Sequence, residues 1–154
     1  MKNIVSNIKI NHLITILSIL FSLYKYLTRV TKENIKELTD KWCDLVTECN
    51  NSEEITKMFS HNGNLIETSS NVKCKHRDIK LYFDYFVNLP NIQILSKEYN
   101  IYKVTDNVFI NSALITWQWD GLEKPVVARI TFIFRDRKIF QCHSSNLLEL
   151  NKKD

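Results

Sequence analysis

The C-terminal stretch from Val126 to Leu150 constrains the fold more than any other part of the chain. It reads VVARITFIFRDRKIFQCHSSNLLEL, and alternate residues from Val126 to Phe134 are apolar. This period of two is typical of a strand with one buried face. The chain then turns through Arg135-Asp136-Arg137 and runs on to Leu148. The pattern predicts two long paired strands, the second of which carries Cys142-His143-Ser144-Ser145.

Three helices are predicted upstream of these strands. Thr31 to Asn50 begins with a capping threonine and has apolar residues at a period near 3.6, namely Ile35, Leu38, Trp42, Leu45 and Val46. Ser52 is predicted to cap a short second helix. A third helix is expected from about Arg77 to Leu89, where Pro90 stops it.

The remaining segments predict strands separated by turns. We expect a turn at His61 to Asn64, a short strand from Leu65 to Thr68 and a loop from Ser69 to Lys75. Ile92 to Val104 and Val108 to Trp119 predict two long strands that precede the closing pair. Helices thus come first and an antiparallel four-strand meander follows, which indicates an α+β fold with a curved sheet wrapped over the long helix and a pocket between them.

The first thirty residues differ from the rest of the chain. Leu13 to Leu23 is almost uninterruptedly apolar and is flanked by basic residues. The segment fits an uncleaved signal anchor, a cleaved leader, or an amphipathic helix docked on the domain. Each reading separates a leader, residues 1–30, from a domain, residues 31–154. The first predicts attachment to a membrane through residues 10–27, or entry into the secretory route.

Charge and metal-ligand spacing exclude several function classes. The net charge is +4, but four of the 21 basic residues lie in the first thirty positions, which leaves 17 bases against 17 acids. A neutral domain without a basic stripe is not expected to bind nucleic acid. The four histidines and four cysteines have no metal-binding spacing, so neither a metal nor a cofactor is predicted, and most cysteines are expected to be buried thiols.

A few polar residues could support chemistry in the predicted pocket. His143 could act as a general base near neutral pH, while Thr68, Tyr82 and a serine could hold the oxygens of a small anion whose charge Arg129 balances. Each also has a structural reading, such as core packing for Tyr82 or a salt bridge for Arg129. Because neighbours on a strand face opposite ways, the pocket receives either Cys142 with Ser144, or His143 with Ser145. The sequence leaves both phases open.

Four segments, taken in order, resemble a known family. They are Leu65-Ile66-Glu67-Thr68-Ser69-Ser70, the run from Ile79 to Phe86, the strand Val127 to Phe132, and Cys142-His143-Ser144-Ser145. Together they resemble the nuclear transport factor two-like superfamily, with its cone-shaped, cystatin-like fold. Within it they look most like the association domain of calcium/calmodulin-dependent protein kinase and the iota-class carbonic anhydrases. The match runs from about Trp42 to Glu149.

The resemblance implies a metal-free hydration of carbon dioxide to bicarbonate in a small pocket. The implied catalytic residues are His143, Ser144, Ser145, Tyr82 and Thr68, and the implied ligand-binding residues are Arg129, Cys142 and Tyr85. It also implies a homodimer or higher homo-oligomer. The alternative is a non-catalytic oligomerising or small-ligand-binding domain, which is motivated by Glu67 and Cys142, since the family has proline and histidine there.

Overall fold

Six strands form one curved, open sheet against which three helices lie. The computed structural model describes residues 12, 14–24, 29–67, 73–74 and 76–146. The elements are, in order, α1 (residues 14–24), α2 (Lys32–Thr47), α3 (Ser52–Met58), β1 (Phe59–Ile66), β2 (Lys73–Cys74), α4 (His76–Phe86), β3 (Gln93–Lys103), β4 (Val108–Gln118), β5 (Val126–Arg135) and β6 (Lys138–Asn146). No helix within these ranges is long and apolar enough to cross a membrane.

The strand order β2-β1-β6-β5-β4-β3 confirms the predicted α+β layout. Strands β3 to β6 pair antiparallel in sequence order, and β1 adds to β6 in parallel. The predicted turn from His61 to Asn64 is wrong, because these residues belong to an irregular β1. A Cβ at Gly63 would lie 2.9 Å from the carbonyl oxygens of Ile139 and Ser60. At this position β1 therefore approaches β6 too closely for any residue with a side chain.

Helix α2 is held at its start and along one face. Thr31 Oγ1 accepts a hydrogen bond from the Asn34 amide, and Asn34 Oδ1 accepts one from the Thr31 amide, each at 3.2 Å. This reciprocal cap satisfies amide groups that have no partner within the helix. The buried face then follows the helical period and lies across the sheet, with Ile35, Thr39, Trp42, Cys43, Leu45 and Val46.

A bulge at Phe140 sets the direction of every later side chain in β6. Phe134 pairs with Ile139, but Ile133 pairs with Gln141, so Phe140 is an extra residue in the ladder. Ile139 and Cys142 are therefore both buried on the concave face although they are three positions apart. The Arg135 guanidinium lies 4.3 Å from the centre of the Phe140 ring, a cation–π contact next to the bulge.

Candidate functional site

A small cavity lies between the concave face of the sheet and helices α2 and α4. Its volume is about 60 Å³, which corresponds to roughly four to six water-sized molecules. The lining residues are Trp42, Leu65, Tyr82, Phe83, Phe86, Trp117, Trp119, Val126, Ala128, Ile130, Cys142, Ser144 and Asn146. A cavity of this size suits a ligand of a few non-hydrogen atoms and is far below the volume that a drug-sized ligand needs.

Six of the thirteen residues that line the cavity are aromatic. The Trp42 ring meets those of Phe83, Trp117 and Phe132 edge to face, with ring centres 5.9, 6.1 and 5.2 Å apart. Tyr82 meets Phe83 in the same way at 5.0 Å. Edge-to-face contacts fix the rings relative to one another. This part of the wall is therefore a surface of rings packed against one another, against which a small ligand can be positioned.

Polar groups lie on the β6 side and on the helices. Ser144 pairs with Ile130 and Asn146 pairs with Ala128, which places both polar residues on the concave face next to apolar ones. The Trp42 Nε1–H is buried and has no hydrogen-bond partner among the described residues. An unpaired buried donor costs free energy, and this one belongs to a residue that lines the cavity.

The structure selects one of the two phases that the sequence left open. Cys142 and Ser144 line the cavity, whereas His143 pairs with Thr131 and Ser145 pairs with Arg129 in the opposite phase of β5 and β6. His143 and Arg129 are exposed and Ser145 is partly buried. None of these three residues is part of the cavity lining, so the structure does not bring the imidazole and the guanidinium together with Ser144.

The two candidate tyrosines on α4 also separate. Tyr82 is half-buried and lines the cavity, but Tyr85 is 70% exposed on the outer side of the helix. Thr68 lies outside the described residues. Of the eight residues singled out from the sequence, the structure thus gathers Tyr82, Cys142 and Ser144 around one cavity. Trp42 and Asn146, which the sequence analysis did not propose as site residues, also line it.

The cavity contains no charged side chain among the described residues, and burial makes its thiol a poor nucleophile. Burial raises the pKa of Cys142 far above that of an ordinary thiol, so this thiol stays protonated at physiological pH. Cys43, Cys49 and Cys142 are all free, and Cys49 is exposed. No group of three or more potential metal ligands occurs in the described parts of the chain.

A second polar cluster joins α2 to β3 outside the cavity. The Asp40 carboxylate accepts hydrogen bonds from Lys97 at 2.6 Å, Lys36 at 2.9 Å and the Tyr99 hydroxyl at 2.9 Å. Burial alone would raise the pKa of Asp40, but these three hydrogen bonds outweigh it and lower the pKa to about 2. The Cys43 thiol lies 3.7 Å from the Tyr99 hydroxyl. The cluster attaches the edge strand to the long helix.

Comparison with solved structures identifies the fold. A protein from Xanthomonas campestris described as a calcium/calmodulin-dependent protein kinase II association domain is 22% identical, with a TM-score of 0.63 over 75% of this chain and 87% of that one. A nuclear transport factor two-like protein of unknown function from Pseudomonas putida is 9% identical, with a TM-score of 0.67 over 80% and 91%.

A third likeness is to a protein from Streptomyces avermitilis described as a dehydratase of the nuclear transport factor two-like family. It is 11% identical, with a TM-score of 0.66 over 75% of this chain and 95% of that one. No protein-family model matches the sequence, and no curated protein matches it significantly. At these identities the likenesses show the fold, while several functions occur on one fold.

Proposed function

We propose, on the nuclear transport factor two-like fold that these likenesses show, that the domain binds a small molecule with hydrogen-bond acceptors in the cone cavity. The observation that carries the proposal is the unpaired Trp42 Nε1–H on a cavity wall that also contains Tyr82, Ser144 and Asn146. An acceptor oxygen that reaches Nε1 would satisfy that donor. The volume of about 60 Å³ limits the ligand to the size of bicarbonate, a short carboxylate or a small amide.

The intrinsic fluorescence of the protein provides a direct test. The chain has three tryptophans, and all of them, Trp42, Trp117 and Trp119, line the cavity. We expect a saturable fluorescence change on titration with bicarbonate, acetate or acetamide. Trp42→Phe, which keeps a ring but removes the donor, should weaken binding of the preferred probe about tenfold, as expected for one hydrogen bond lost to a buried partner.

Two neighbouring serines supply a matched control for this titration. Ser144→Ala should weaken binding, because Ser144 lines the cavity, whereas Ser145→Ala should leave it unchanged, because Ser145 lies in the opposite phase. Fluorescence that responds to none of the three probes, or equal losses in the two serine variants, would contradict the proposal.

Hydration of carbon dioxide is the second candidate function. Support comes from the resemblance to iota-class carbonic anhydrases and from the Tyr82 and Ser144 residues at a cavity of bicarbonate size. It ranks second because hydration needs a proton acceptor near neutral pH, and His143 lies in the other phase of β6. Simple binding of a small acceptor needs no such group.

Stopped-flow measurement of carbon dioxide hydration separates the two candidates. If the protein is a lyase, its rate exceeds that of buffer, and Tyr82→Phe, Ser144→Ala and Thr68→Ala each lower the rate. Under the binding proposal the rate equals that of buffer while the fluorescence titration still saturates. The His143→Ala variant measures whether the exposed imidazole contributes as a proton carrier.

A further inference from the structure

Helix α1 presents a large apolar surface to solvent. Eight of its eleven residues are large apolar or aromatic side chains, and each is more than half exposed: Ile14, Ile16, Leu17, Ile19, Leu20, Phe21, Leu23 and Tyr24. Exposed apolar surface of this extent is unusual on a folded domain and indicates a region that contacts another protein or a membrane.

The polar residues of α1 share one narrow side. Thr15, Ser18 and Ser22 recur at intervals of three and four residues, so they fall on the same face of a helix with 3.6 residues per turn. The apolar residues occupy the rest of the circumference, roughly two thirds of it. Leu17 and Leu20 lie near the middle of this apolar arc.

Charge around α1 indicates the chemistry of the partner. The first thirty residues contain Lys2, Lys9, Lys25 and Arg29 and no acidic residue, while the remainder of the chain has 17 bases and 17 acids. The first thirty residues, which include this one apolar helix, therefore account for the whole net charge of +4. Basic residues beside an apolar helix are attracted to anionic lipid headgroups.

We propose that α1 and its basic flanks dock this protein on a lipid bilayer that carries anionic headgroups, with the apolar arc in the acyl region. This inference is independent of the ligand in the cone cavity. A second copy of α1 fits the observations less well, because each copy would bring four positive charges with no acid to neutralise them.

Binding of the full-length chain to vesicles tests the proposal. Sedimentation should recover the protein with vesicles of phosphatidylcholine containing about one third phosphatidylserine, and several-fold less with phosphatidylcholine alone. Leu17→Asp together with Leu20→Asp should reduce the partition coefficient at least tenfold. Ser18→Asp together with Ser22→Asp introduces the same two charges on the polar side and should retain most of the binding.

Three results of the vesicle experiment would overturn the proposal. Equal loss in the two double variants, no loss in the leucine pair, or equal binding to the two kinds of vesicle would each contradict it. A change of oligomeric mass caused by the leucine pair, with no binding of the wild type to either kind of vesicle, would assign α1 to a second copy instead. Fluorescence of the domain tryptophans, none of which lies in α1, confirms that each variant is folded.

Discussion

Thr39 and Asn111 are polar residues buried between α2 and β4, where a hydrogen-bonding group without a partner costs free energy. Asn111 Nδ2 donates to Thr39 Oγ1 at 2.9 Å, and Thr39 Oγ1 in turn donates to the Ile35 carbonyl at 2.9 Å. Asn111 Oδ1 has no partner among the described residues. The pair thus contributes to the orientation of α2 on the sheet rather than to ligand binding.

Thr39→Val should lower the free energy of unfolding by about 1–3 kcal/mol, because it removes the acceptor and leaves the buried Asn111 amide unpaired. Combining Thr39→Val with Asn111→Leu should recover most of this loss, since both polar groups are then gone. Urea unfolding of the two single variants, the double variant and the wild type forms a double-mutant cycle. A double variant whose loss equals the sum of the single losses would show that the two groups are not coupled.

The direction of β6 side chains can be measured through thiol reactivity. Cys142 is buried and its pKa is raised by that burial, so it should not react with a thiol reagent at neutral pH while the protein is folded. His143→Cys should add a thiol that reacts about as fast as the exposed Cys49. Rapid labelling of Cys142 in the folded protein, identified by mass spectrometry, would contradict the phase described for β6.

At the scale of elements, the contact between α2 and β3 depends on Asp40. The carboxylate is 25% exposed, and its lysine partners Lys97 and Lys36 are 35% and 58% exposed. Solvent therefore weakens the ion pairs, and a pKa lowered from 3.8 to about 2 converts to about 1 kcal/mol of stability after this screening. The cluster therefore contributes moderately to holding the edge strand β3 against α2.

The free energy of unfolding should depend on pH through the Asp40 carboxylate. Because the folded-state pKa of Asp40 is lower than the unfolded-state value, its contribution is complete above about pH 4 and is lost as the pH falls toward 2. Asp40→Asn should lower the free energy of unfolding by about 1 kcal/mol at pH 7. The difference between wild type and variant in urea unfolding should disappear near pH 2; a difference that is constant from pH 7 to 2 would contradict this assignment.

Sequence patterns predicted the elements with strong periodicity and missed those that depend on distant contacts. The apolar stripe of α2 and the alternation of β5 have local causes, and the structure has both elements in the expected places. The irregular β1 depends on the close approach of Gly63 to Ile139, far away in sequence, so His61 to Asn64 looked like a turn. The two-residue β2 has no sequence signal of its own.

The candidate site was predictable in part for the same reason. Tyr82 and Ser144 belong to segments whose pattern suggested a pocket. Alternation counted from the buried Ile139 would bring Gln141, His143 and Ser145 inward, and only the bulge at Phe140 reverses this. Trp42 was expected as a core residue of α2, but its unpaired Nε1–H becomes visible only when the surrounding side chains are placed.

For the whole molecule, self-association through the convex face of the sheet remains a prediction. Leu114 and Tyr102 are 39% and 52% exposed on that face, and Leu114 pairs with Arg129 of the adjoining strand β5. An apolar patch with polar neighbours is typical of an interface between copies of one chain.

Light scattering should give at least a dimeric mass, and Leu114→Lys should shift the population toward monomer, because an interface tolerates a buried unpaired charge poorly. Leu81→Lys is the matched control: it makes the same change at an exposed position, 58% accessible, on α4. A wild-type monomer would contradict the prediction of self-association. An equal effect of the two substitutions would place the interface elsewhere.

The extra residue at Phe140 means that this sequence contains two alternative cavity linings. If β6 slid by one position so that Phe140 joined the regular ladder, the thiol of Cys142 and the hydroxyl of Ser144 would leave the cavity, and an imidazole with a different hydroxyl would replace them. No substitution would be needed. In proteins of this shape, a shift in the position of a β-bulge can therefore change the chemistry of the pocket while the sequence of the strand stays the same.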